Sequence, residues 1–246
     1  HIFWYSIPPY LLGLINFAGY PSYLDGERTG KERPKLWPHF RDSLRSCWRQ
    51  RPLRWLCLES MSFEGSYKAL KDYLQPVLAA TALAFLSTSA FSATQRTAIA
   101  VGVVYMILHL LSSWASRRAH RLSEWRGGEE PAAAFIWWLS AGILAILAAA
   151  CWWELHSLII VVFIALAMLQ NVWRPLLMAR FDAHTTSANS ATILSVESQC
   201  KSGGAFLLAP VFGYCADHQG FWTLGVIAGV LALLTVVLSQ HSRRSR

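Results

Sequence analysis

Glu64, Lys68 and Asp72 recur at four-residue intervals in the segment 53–73, LRWLCLESMSFEGSYKALKDY. That spacing sets them along one face of a helix, with Tyr67 and Lys71 flanking the stripe and Gln75 just beyond it. Their neighbours are mostly apolar or aromatic, and an ionised carboxylate left unpaired in such surroundings is costly. Glu64 must therefore pair with Lys68, face water, or carry a proton. A permanent Glu64–Lys68 pair would only order the helix. A protonatable Glu64 would be a candidate proton carrier, and an open stripe a candidate surface for a polar solute. Lys71 and Asp72 lie near the end of the segment, where snorkelling to lipid headgroups competes with a site role. Glu59, nearer the other end, is expected to pair with Arg54 or with a loop arginine.

A second pair at helical spacing, Glu197 and Lys201, lies in ATILSVESQCKSGGAFLLAPVFGY (191–214). It either gates a pathway or neutralises itself, and Gly203–Gly204 beside it permits close helix contact or a bend. Gln170, Asn171, Arg174 and Pro175 form a polar patch in the apolar run 155–178. Pro175 favours a kink there because it removes a backbone donor. Arg174 reads as an interface anchor, with a gating or anion-binding role as the sharper option. His109 follows Tyr105 by four residues, so both share a face. It is either a neutral hydrogen-bonded histidine or a proton relay. No histidine, cysteine or carboxylate set has metal-ligand spacing, and no glycine-rich phosphate loop or Walker lysine is present. Neither a metal, nor a cofactor, nor ATP-driven work is expected.

The elements that position these residues are membrane helices. The runs 2–20, 98–114, 132–153, 155–178 and 221–239 approach or exceed the roughly 20 residues that cross about 30 Å of hydrocarbon. Composition agrees: 54% of residues are hydrophobic and 15% charged, where a soluble domain is about a quarter charged. Between such spans the polar segments 53–73 and 191–214 are expected to cross as well, with their charges turned inward. The apolar stretch 76–93, punctuated by Ser, Thr and Pro, reads as an external connection packed on the bundle, ahead of an eighth crossing that would put the later basic loops on the wrong side. Seven crossings result. They place every basic cluster on one face: nine Lys and Arg between 28 and 54; Arg117, Arg118, Arg121 and Arg126; Arg174 and Arg180; and Arg243, Arg244 and Arg246. The positive-inside rule makes that face cytoplasmic, with the first residue outside and the C-terminus inside.

The net charge of +8 then belongs to loops facing anionic headgroups. No compact nucleic-acid-binding module accompanies the Arg-rich stretch, so nucleic acid is not an expected partner. Trp137–Trp138 and Trp152–Trp153 bracket the fourth span as an aromatic belt. The five cysteines are expected to be small apolar fillers, with a Cys151–Cys215 disulfide near the outer face as the lesser reading. The chain opens inside its first apolar run, which predicts a fragment whose upstream half precedes it. Its expected parts are a helix at 1–20, a basic cytoplasmic loop at 21–52, a six-helix bundle at 53–240 and a basic tail at 241–246.

A long basic loop between the first and second of seven spans resembles the C-terminal part of a major facilitator superfamily transporter. DYLQPVL (72–78) is similar to the end of that family's seventh helix in some bacterial members. SSWASRRAHRL (112–122) resembles the cytoplasmic end of its eighth helix. ATILSVESQCKSGGAFLLAPVFGYCADHQG (191–220) is similar to the eleventh helix of drug-exporter-like members, with ATxLS opening and PxxGxxxD closing it. Ser190 stands where an arginine usually precedes ATxLS, and in 115–128 the family's loop pattern is blurred.

The resemblance implies an all-α, polytopic bundle and alternating access by rocking of two six-helix halves around a midplane site. It implies a small organic solute, H+ as coupling ion, efflux ahead of uptake, and the cell (inner) membrane. Substrate and proton-pathway candidates are then Glu64, Lys68, Asp72, Tyr67, Gln75, Tyr105, His109, Gln170 and Asn171. Gating candidates are Glu197, Lys201 and Arg174. Two other classes compete: a multispan enzyme acting on a lipid-soluble substrate, with Glu64, Asp72 and His109 as acid and base groups, and a transporter-like scaffold that moves nothing.

Overall fold

A computed structural model describes residues 2–19, 41, 45, 48–85, 92–185 and 190–244. Among these the regular structure is helical and no strand occurs. The chain divides into two compact units, His1–His39 and Phe40–Arg246. In the first, α1 covers Ile2–Ala18 and carries Pro8 and Pro9 within it. The basic segment expected at 21–52 lies mostly outside the described residues, as do Cys47 and the end of the basic tail.

The second unit is a helical bundle: α2 Arg51–Leu70, α3 Leu74–Phe85, α4 Ala93–Ser116, α5 Ala119–Arg126, α6 Glu129–Trp152, α7 His156–Asp182, α8 Ser190–Gln219 and α9 Trp222–Arg244. Four of these helices are long and apolar enough to cross a membrane: α4, α6, α7 and Trp222–Ser239 of α9. They coincide with four of the seven expected crossings. Large apolar side chains stand on their outer surfaces, with Leu110 65%, Val161 59% and Leu234 54% exposed. Water would penalise such a surface and hydrocarbon would not. These features are compatible with a multi-pass membrane protein.

The stretch 76–93, expected as an external connection, is helical as far as Phe85, and 86–91 lie outside the described residues. A single 3-10 turn, Lys71–Tyr73, joins α2 to α3, so helix continues to Phe85. Pro76 explains the tight turn: it has no N–H to offer the carbonyl of Asp72, four residues back, and the backbone overwinds there. Beyond it the run VLAATALAF is rich in strong helix formers, and the Thr81 hydroxyl folds back to donate to the Val77 carbonyl at 2.7 Å.

The ends of α4 to α6 follow local rules. Ser92 and Gln95 form a capping box at the start of α4, each side chain accepting from the other's backbone N–H at 3.3 and 3.0 Å. Gly127, at φ 76°, takes the left-handed conformation that ends α5, and the N–H of Gly128 closes the turn on Ser123 at 2.8 Å. The glycine pair is thus a helix stop, and α6 begins at once with Glu129 and Glu130 in its first turn.

One apolar core runs through the bundle, drawn from α2, α3, α4, α6, α7, α8 and α9. Helix α2 packs on α7, α8 and α9; α6 packs on α7 and α9; α4 packs on α3 and α7. At the centre Phe63, Trp137 and Trp173 form an aromatic cluster with ring centroids 4.9 to 5.5 Å apart. This corrects the aromatic-belt reading for Trp137, which is buried, whereas Trp138, Trp152 and Trp153 are exposed. The cause is helical phase: Trp137 shares a face of α6 with the buried Ala133, Ile136, Ser140 and Ala141. Cys57, Cys151, Cys200 and Cys215 are free thiols, so the lesser reading of a Cys151–Cys215 disulfide is set aside.

Candidate functional site

Two charged clusters and one cavity gather the ionisable groups, and α2 contributes to all three. Helix α2 runs antiparallel to α7, because Glu59 meets Arg180 while Glu64 meets the earlier Arg174. It runs parallel to α8, because Ser60 meets Glu197 and Glu64 meets the later Lys201.

The first cluster centres on Arg180 of α7, buried to 4% exposure. Its guanidinium donates to both carboxylate oxygens of Glu59, which is equally hidden, and to both oxygens of Glu130 at 2.8 and 3.1 Å. Ser239 of α9 donates a further hydrogen bond to Glu59 at 3.0 Å. Three helices are therefore tied by one cation that forks to two carboxylates, a geometry that arginine supplies and lysine does not, and α9 joins them through Glu59. Glu59 is thus paired across the bundle with Arg180 of α7, where Arg54 or a loop arginine was expected.

The second cluster joins α2, α7 and α8. Arg174 donates to both oxygens of the fully buried Glu197, at 2.7 and 3.1 Å, and stands 3.3 Å from Glu64 Oε1. Lys201 lies 3.7 Å from the other Glu64 oxygen, and the Ser60 hydroxyl donates to Glu197. Two carboxylates, one guanidinium and one ammonium balance in charge without forming either expected local pair. Glu64 is held by Arg174 and Lys201 rather than Lys68. Glu197 is held by Arg174 and Ser60 rather than Lys201. Lys68 is exposed and reaches Ser202 at 3.5 Å.

Arg174 joins the two carboxylates from inside the bundle, so the interface-anchor reading is corrected as well. The reason is common to all three corrections. A spacing of four residues permits a pair, but a guanidinium from a packed neighbour offers two directed bonds to a carboxylate that the bundle has already desolvated.

The cavity, about 620 Å³, opens between the α2–α3 junction, α4 and α7. Tyr67, Asp72, Gln75, Tyr105, His109, Gln170 and Asn171 line it, seven of the nine residues proposed for a solute or proton pathway. Glu64 and Lys68 are not on its wall. Lys71 lines it too, so the 3-10 turn that Pro76 imposes presents both signs of charge to the space. The Tyr105 and His109 rings lie 6.2 Å apart, as their shared face requires. Asn171 spends its amide N–H on the Ala167 carbonyl at 2.8 Å, which leaves its side-chain oxygen as an acceptor. Pro175, inside α7, releases the backbone carbonyl of Asn171 from the helix ladder.

Sequence reading missed Arg180, Glu130, Ser60, Ser239 and Ser112. The hydroxyl of Ser112 is buried on the cavity wall without a hydrogen-bond partner among the described residues. Once α2 and α7 are packed antiparallel, the spacing of the four residues fits both clusters. Glu59 and Glu64 are five residues apart and Arg174 and Arg180 six, a matched rise of about 7.5 and 9 Å on antiparallel helices.

Among the described residues no group of three His, Cys, Asp or Glu could hold a metal ion. Compared with family models, with curated proteins and with solved structures, the chain matches none.

Proposed function

We propose that this chain is the C-terminal part of a secondary active transporter of the major facilitator type, crossing the membrane seven times. It moves a small organic solute by alternating access, coupled to H+, with efflux as the favoured direction. The cell (inner) membrane holds it, with the C-terminus in the cytoplasm. The observation that carries this reading is the cavity. It collects one residue set from α2, α3, α4 and α7 whose phenols, amides, imidazole and opposite charges suit a solute with both hydrogen-bonding and aromatic surface. One turn before Tyr67 on α2, Glu64 stands in a cluster that shares a single guanidinium between two carboxylates. Protonating Glu64 would release Arg174 wholly to Glu197, and such partner exchange couples a proton to helix movement.

Two measurements test the reading. Full-length protein reconstituted in liposomes is expected to accumulate its solute when a pH gradient is imposed, and Glu64→Gln to abolish that accumulation while binding survives. Gradient-driven transport left intact in Glu64→Gln would remove Glu64 as the carrier. In intact cells, a cysteine placed at Arg121 is expected to react with an impermeant maleimide only after permeabilisation. Labelling from outside would overturn the seven-crossing topology.

A further inference from the structure

Two of the free thiols stand at matching positions on helices that touch. Helices α2 and α8 run parallel and meet main chain to main chain, so that a Cβ at Gly204 would overlap the Met61 carbonyl oxygen. Four residues before Met61 stands Cys57, and four before Gly204 stands Cys200. Both helices rise equally over those four residues, so in a parallel pair the match at Met61 and Gly204 carries back to the two cysteines. Their side chains meet accordingly, and the two thiols are hydrogen-bond partners. Helices in main-chain contact one turn away approach closely enough for the Cα separation of about 4.4–6.8 Å that a disulfide needs. Neither Cys151 nor Cys215 has a thiol as hydrogen-bond partner among the described residues.

Exposure separates the roles of the two sulfurs. Cys57 is 4% exposed and belongs to the core, whereas Cys200 is only partly buried and packs at its edge. A reagent arriving from outside the bundle therefore meets Cys200 first and finds Cys57 behind it. A reachable thiol with a second one in contact is the arrangement that turns a first oxidation into a disulfide.

We propose that Cys57 and Cys200 are a peroxide-responsive pair, in which an organic hydroperoxide oxidises Cys200 and Cys57 resolves the product into a disulfide joining α2 to α8. The Cys200 sulfur takes one peroxide oxygen and becomes a sulfenic acid, while the O–O bond breaks and the other oxygen leaves as the alcohol. The Cys57 sulfur then attacks the Cys200 sulfur. The S–O bond breaks, and the hydroxyl leaves with the Cys57 proton as water. Two thiols lose two electrons in all, and one hydroperoxide is reduced to an alcohol and water. The new bond fixes the parallel register of α2 on α8, which the Ser60–Glu197 and Glu64–Lys201 contacts follow. The pair stands whether or not the chain moves a solute.

The test uses the full chain in detergent with cumene hydroperoxide as the probe. Unreacted thiols are alkylated, the chain is cut by trypsin without reduction, and the peptides are read by mass spectrometry. Cys57 and Cys200 then fall on separate peptides, 55–68 and 181–201, neither of which holds another cysteine. The expected product is those two peptides linked, at a rate independent of protein concentration, and separated again by dithiothreitol. In Cys57→Ser the sulfenic acid has no resolving thiol, so dimedone is expected to label Cys200. In Cys200→Ser neither a linked peptide nor a dimedone adduct at Cys57 is expected, and labelling of Cys57 there would overturn the order of attack. Absence of the linked peptide in the unmodified chain overturns the proposal. So does a link whose rate falls on dilution, which would join two molecules, or equal linkage of Cys200 to Cys151 or Cys215. Those readouts on the unmodified chain need no variant to fold.

Discussion

Replacing Arg180 by methionine is expected to destabilise the bundle by about 3–5 kcal/mol, because the buried Glu59 would lose the guanidinium that donates to both its oxygens. The expectation rests on burial: Arg180 is 4% and Glu59 1% exposed, and four directed hydrogen bonds leave the guanidinium for two carboxylates. Glu130, half exposed at 48%, contributes little by comparison, since water already solvates it. The stem of Arg180 and the Trp173 ring beneath its charged end add packing that methionine keeps in part. Thermal unfolding in detergent measures the loss. The double variant Glu59→Gln with Arg180→Met is expected to recover most of it, because the buried negative charge goes together with the guanidinium that held it. Arg180→Lys is expected to fall between, since an ammonium keeps the charge but cannot fork to two acceptors. A single variant as stable as the unmodified chain would mean that the cluster is solvated.

The same cluster shows what the sequence made legible and where it stopped. Apolar runs at 98–114, 132–153, 155–178 and 221–239 needed no partner to be recognised, because a lipid-facing helix is apolar along its whole length. Cavity residues were legible for a related reason. Tyr105 with His109, and Gln170 with Asn171, are polar groups inside apolar runs, and the bundle must turn them towards something other than lipid. Ion-pair partners were not legible. Glu64 and Glu197 each had a lysine four residues on, and both pairs were passed over for one arginine, Arg174, on another helix. Local spacing says what can meet within one helix. It is silent on which neighbour arrives, which depends on a register between α2 and α7 that only the packed bundle fixes. The helix at Leu74–Phe85 was missed for the opposite reason. Ser, Thr and Pro punctuate 76–93, yet a single 3-10 turn absorbs the donor that Pro76 lacks and the helix runs on.

The packing of α2 on its other neighbour, α8, is enforced by glycine, which leads to the other large expected effect. Helices α2 and α8 touch backbone to backbone where Gly65 meets Gly204. A Cβ at Gly65 would lie 2.9 Å from the Gly204 Cα, and one at Gly204 would overlap the Met61 carbonyl oxygen and lie 3.0 Å from its carbon. No rotamer change can relieve a clash with main chain, so the helices themselves must separate. Gly204→Ala is therefore expected to lower stability by about 1–3 kcal/mol, and Gly204→Val by more. Separation would also draw Ser60 from Glu197 and Glu64 from Lys201, because those contacts follow in the same parallel register. Gly203, one residue earlier, meets nothing within 4 Å, so Gly203→Ala gains helix propensity without a clash. It is expected to stabilise by about 0.5–1 kcal/mol. Opposite shifts of the unfolding midpoint from two adjacent glycines would locate the crossing at a single position, whereas parallel shifts would show that α2 and α8 do not meet there.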